Sequence, residues 1–161
     1  MLLIYLIYFN NRNMSKQNQY IALLEKLLTH LKNAKLEYYK ASDQAGSPEK
    51  KRFFNQQGLL RNRYFQETLI ELQYFGMSSE DLVISRFNFD QLLISSIETL
   101  KATAIEKCIF ADQTLLEIYT QLDSFEIKNL DLQKHVSNLE MAMSQNKEWV
   151  ELILEKKRAS Y

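Results

Sequence analysis

The side chains that could carry chemistry are few. The 161-residue chain holds two histidines and one cysteine, and its 20 Lys and Arg balance 20 Asp and Glu. A helical-bundle metal centre of the di-iron type takes carboxylates from facing helices and usually a Glu-x-x-His pair, whose i and i+3 spacing points both ligands inward. His30 has Leu27 three residues before it and His135 has Leu132, so neither completes that pair. Asp131 and His135 stand at i and i+4, but two ligands on one helix do not specify a metal without donors from other helices. Glu37, Glu67 and Asp112 remain as the carboxylates of a reduced iron or manganese site. With Arg61 and Arg63 the same residues make the preferred reading, an interhelical polar network. Cys108 has no histidine at a spacing that would activate it, and it reads as core. No catalytic residue, metal or cofactor is expected.

The elements that position these residues follow from composition. One Pro and three Gly are too few for a turn-rich barrel, a sandwich or a glycine-looped nucleotide fold, which leaves long helices. A lone cysteine forms no internal disulfide, and a reducing cytoplasm is the expected compartment. Zero net charge gives no global attraction to phosphate backbones. The densest basic segment, Lys50 to Arg52 with Arg61 and Arg63, is followed by Tyr64 and Phe65, yet Glu49 and Glu67 lie among these residues. It reads as a solvated helix face, and no nucleic-acid partner is expected.

Four apolar stripes alternate steps of three and four. Tyr20, Leu24, Leu27, Leu31, Ala34, Tyr38 and Ala41 predict a first helix over about 18–44. Ser47 as N-cap with Pro48 at the first helical position opens a second, to about residue 75, whose buried face reads Phe54, Gly58, Arg61, Phe65, Leu69, Leu72 and Phe75. Arg61 on that face needs a partner. Ser78 with Asp81 and Ser95 with Glu98 resemble capping boxes around a short additional helix. A third long helix is expected over about 96–122, burying Ile97, Leu100, Ala104, Cys108, Ala111, Leu115 and Leu122, or else one unbroken helix from about 80. Leu132, Val136, Leu139, Met143, Val150 and Leu154 mark the last, to about 157. The expectation is an all-α, antiparallel four-helix bundle over residues 18–158, preceded by an extension of residues 1–17.

That extension opens with nine apolar residues, MLLIYLIYF, then NNRN. Nine residues are too short to span a bilayer, which takes about 20 in a helix, and a membrane role is not expected. Met14 begins a more ordinary soluble start and suggests translation from there; the rival readings are a peripheral membrane anchor and an element lying on the bundle.

The sequence resembles the DUF2383 family of ferritin-like four-helix-bundle proteins of unknown function over about residues 20–155. The resemblance rests on Leu36 to Tyr39 in the first helix, Phe53, Phe54, Arg61, Arg63 and Glu67 in the second, and Cys108, Asp112 and Tyr119 in the third. It implies a ferritin-like topology, a short helix between the second and third, and a stress-related setting. Lys107 and Ile109 stand where that family commonly has acidic residues, and Phe89 where it has tryptophan, which leaves fewer carboxylates for a metal. Topology does not transfer oxidase or iron-storage activity. The function expected is that of a noncatalytic cytoplasmic bundle acting by self-association or by binding a protein partner, with Trp149 and Met141 extending an apolar surface.

Overall fold

The computed structural model describes residues 1–77, 97, 100–126 and 128–160, without the side chains at 9 and 11–14. Among the described residues four long helices form an all-α bundle: α1 Leu2–Gln44, α2 Pro48–Tyr74, α3 Ala104–Asp123 and α4 Leu132–Ala159. The chemistry of their ends explains where they start. The Ser47 side chain accepts from the Lys50 amide with Pro48 in the first turn of α2, and Asp131 accepts from the Lys134 amide at the start of α4. Gly76 takes φ +83, the left-handed conformation that closes a helix beyond its last turn.

Ring contacts fix the helix directions. Tyr20 of α1 touches Phe75 just past α2 and Phe125 just past α3, at 5.5 and 5.4 Å between ring centroids. At the other end Tyr38 meets Phe54 near the start of α2, Cys108 near the start of α3 joins the same cluster, and Phe53 and Phe54 pack on Trp149 late in α4. α2 and α3 therefore run the same way and α1 and α4 the opposite way, and the chain between Met77 and Thr103 joins opposite ends of the bundle.

Every residue of the first predicted stripe is buried, from Tyr20 to Ala41. The other faces shift. On α2, Tyr64, Thr68 and Glu71 are buried while Phe65 and Leu69 are only partly so, because the three polar side chains have partners inside the bundle. α3 begins eight residues later than expected, at a capping box in which Thr103 and Glu106 satisfy each other's backbone amides. Residues 100–103 are not helical, which rules out one unbroken helix from residue 80, and Leu100 is exposed. Val150 is half-buried and Leu154 exposed, whereas His135, Ala142 and Asn146 join the core of α4. The additional short helix, its two serine boxes and Phe89 lie outside the described residues.

α1 also begins far earlier than the stripe predicts. Among the described side chains the first buried one is Tyr20, and the helix continues before it as an overhang on which Met1 to Tyr8 are all exposed. No helix among the described residues is long and apolar enough to cross a membrane.

At Gly58 of α2 the Tyr39 ring of α1 occupies the space a side chain would take. A Cβ there would sit 2.5 Å from Cε1 of the Tyr39 ring. Overpacking of this kind costs about 1–3 kcal/mol, against about 1 kcal/mol gained in helix propensity. Gly58→Ala is expected to lower stability by about 1 kcal/mol with Tyr39 present and to raise it by about 1 kcal/mol in a Tyr39→Ala background. Urea unfolding of the four chains checks both signs.

Candidate functional site

The centre of the bundle is ionic. The position at which the α2 stripe turns inward carries Arg61, and the third turn of α3 carries Asp112; both side chains are wholly buried. Arg61 Nε donates to Asp112 Oδ1 at 2.9 Å and Nη2 to Oδ2 at 2.6 Å, the two-pronged geometry in which guanidinium and carboxylate match best. Nη1 turns back onto its own helix and donates to the Gln57 carbonyl and side-chain oxygens at 2.9 and 2.8 Å. The other two helices complete the arrangement. Tyr38 of α1 donates to Asp112 Oδ2 at 2.5 Å and lays its ring 3.9 Å from the guanidinium carbon, and Asn146 of α4 donates to the Tyr38 hydroxyl at 2.8 Å. Side chains from all four helices are thus joined in one hydrogen-bonded network, with Arg61 and Tyr38 on the carboxylate and Asn146 behind Tyr38.

Burial alone would lower the Arg61 pKa, but Asp112 and then Tyr38 leave it raised. Burial, reinforced by Asp112, pushes the Tyr38 phenol well up. Burial likewise raises the Cys108 thiol, one turn before Asp112, so it is held as an unreactive thiol.

A second polar layer lies about 10 Å further along α3, seven residues on at 1.5 Å each. His135 of α4 is buried there with Glu67 Oε2 at 2.5 Å from Nε2 and the Tyr119 hydroxyl at 2.7 Å from Nδ1. An ionised carboxylate only accepts, so Nε2 carries the proton and Nδ1 of the neutral ring accepts from Tyr119. The Tyr64 ring stacks on the imidazole at 3.6 Å, and Asn138 donates to the Tyr64 hydroxyl. A third layer closes the end of the bundle, where Tyr20 donates to Glu71 Oε1 at 3.0 Å and the Asn129 amide donates to the same oxygen at 3.2 Å.

The five residues expected to share one network are thus divided. Arg61 and Asp112 meet; Glu67 is engaged by His135; Glu37, buried on α1, has Lys40 Nζ 3.6 Å from Oε1; and Arg63 is exposed. Glu37, Glu67 and Asp112 do not form a metal site: among the described residues no group of three or more His, Cys, Asp or Glu could hold an ion. Both oxygens of Asp112 already face a guanidinium, which occupies the side from which a metal cation would approach. The Asp131 and His135 pair separates into a helix cap and a core imidazole. Tyr38 escapes a reading by residue type as an aromatic on an apolar stripe, Tyr119 lies off the stripe read for α3, and Asn146 breaks that of α4. Arg61, whose burial required company, was the signal that a polar centre existed.

Comparison of the chain with family models, curated proteins and solved structures finds no match to any of them.

Substitutions at the buried charges have outcomes of known sign. Asp112→Leu strands Arg61 in the core and is expected to cost about 3–5 kcal/mol, whereas Arg61→Met combined with Asp112→Leu recovers most of that loss; denaturant midpoints of the single and double variants check it. Burial holds the His135 imidazole below its usual 6.5, with the Glu67 hydrogen bond and charge opposing the shift. The folded chain therefore takes up this proton less readily than the unfolded one, so the stability His135 contributes is complete above pH 6.5 and is lost as pH falls below it toward the folded value. The thermal midpoint is expected to fall between about pH 7 and 5 more steeply than that of His135→Gln. Glu67→Gln should move the NMR titration of His135 further down.

Proposed function

We propose that this protein is a noncatalytic, ferritin-like helical bundle of the DUF2383 kind that acts in the cytoplasm by association with protein, a second copy of itself first. The like direction of α2 and α3, with a connection joining opposite ends of the bundle, supports the ferritin-like topology. The residues quoted for the family resemblance are its further support, Tyr38, Arg61, Asp112 and Tyr119 all being members of the polar layers.

One observation carries the functional reading: the side chains with chemistry are bonded to one another inside, while apolar side chains stand outside. On the outer side of α2, Leu59, Ile70 and Tyr74 are 62%, 65% and 74% exposed, and steps of four, three, four and four through Arg63 and Gln66 place them in one row. Helix faces of this kind, apolar with an arginine in the row, suit a partner helix that covers the aliphatic side chains and meets the guanidinium with a carboxylate. Trp149 is not part of such a surface. It packs on Phe53 and Phe54 with Lys50 Nζ 5.5 Å above its ring, leaving Met141 exposed without it.

Sedimentation velocity of the purified chain, with elemental analysis of the same sample, tests the reading. A concentration-dependent oligomer without stoichiometric metal is expected, with Leu59→Glu and Ile70→Glu together weakening association at least tenfold. A monomer carrying bound iron or manganese would overturn it.

A further inference from the structure

Among the described residues, the overhang of α1 differs from the helical surfaces of the bundle. Each helix in the bundle turns a polar side to water, but Leu2 through Phe9 contains no polar face at all, and Met1 to Tyr8 are exposed on every side, from 49% at Leu6 upward. A helix apolar all round is stable only when surrounded. A single partner helix would cover one stripe and leave the opposite side in water.

The residues just beyond the apolar turns indicate what surrounds them. Asn10 to Asn13 are polar and include Arg12, Lys16 comes one turn later and is exposed, and no Asp or Glu occurs before Glu25. A chain of zero net charge thus carries a purely cationic collar directly after its most apolar turns. Two overhangs packed side by side in parallel would bring these cations together with no carboxylate to meet them. Lipid phosphates would meet them.

We propose that the first two turns of α1 anchor the protein peripherally to an anionic bilayer, burying their apolar side chains at its interface while the turn that carries Arg12 and Lys16 lies at the phosphates. Residues 10–19 form a stalk of about 15 Å that holds the bundle off the surface, and because α1 is unbroken from Leu2 into the core the stalk is rigid with it. This anchor is independent of the outer face of α2.

Flotation of the full chain with vesicles tests it, using phosphatidylcholine with a quarter phosphatidylglycerol against phosphatidylcholine alone. The protein is expected to float with the anionic vesicles and far less with the neutral ones. Leu3→Gln with Ile7→Gln should lower partitioning at least tenfold with an unchanged melting temperature, since neither residue touches the bundle. Arg12→Gln with Lys16→Gln should lose about tenfold on anionic vesicles and little on neutral ones. Ile70→Glu should float like the parent chain, which separates this site from the association face. Failure of the parent chain to float, or equal flotation of the Leu3 and Ile7 variant, would overturn the anchor. So would a lipid-free oligomer that this variant dissolves, which would assign the overhang to a second copy.

Discussion

The bundle is organised around one carboxylate that has no water to dissolve in. Asp112 is wholly buried, and an ion of its size left bare in such a place would cost several kcal/mol. Its neighbours on three other helices are there to answer that cost: Arg61 with two hydrogen bonds, Tyr38 with a third, and Asn146 behind Tyr38. Gln57 then satisfies the end of the guanidinium that points away from Asp112. Apolar side chains could fill the same space without loss of net stability, as buried ion pairs elsewhere show. What they could not supply is register. Two parallel hydrogen bonds of 2.9 and 2.6 Å tolerate little sliding, so α2 and α3 are held at one axial position, and α1 and α4 are indexed to them through the phenol and the amide.

The next layers repeat the device with weaker charges. His135 remains neutral and is held between an acceptor and a donor on different helices, while Glu71 ties Tyr20 to the chain entering α4. Between the layers lie the leucines of α1 and α3, which exclude water. Apolar packing thus provides cohesion, and the polar layers add directional bonds between facing turns.

This division explains what the sequence disclosed. Apolar spacing located four helices, and the Ser47 and Pro48 pair located the start of α2 to the residue, because both signals are local. Arg61 on an apolar stripe announced a buried charge, and Asp112 near a stripe on the third helix was a credible partner. The exchange of Phe65 and Leu69 for Tyr64, Thr68 and Glu71 was not legible, since burial of a polar side chain depends on a partner 51 or more residues away for Glu71 and Tyr64. His135 and Tyr119 were opaque for the same reason. Thr103 and Glu106 had the spacing of a capping box in plain view, but an apolar run through Ile97 and Leu100 outweighed it. The apolar overhang was legible as composition, while its continuity with α1 was not, because no stripe runs through a segment that is apolar on all sides.

The like direction of α2 and α3 has a consequence for how the chain acquires its structure. α1 with α2 and α3 with α4 are hairpins whose turns are short, so each gains contacts at little loop-closure entropy. The Arg61 and Asp112 bonds link one hairpin to the other across 51 residues and form only when the two dock. Until then both charges remain hydrated, and stripping that water falls on the docking step. The cost of dehydrating Arg61 and Asp112 is therefore carried by the contact between the hairpins and by neither hairpin alone.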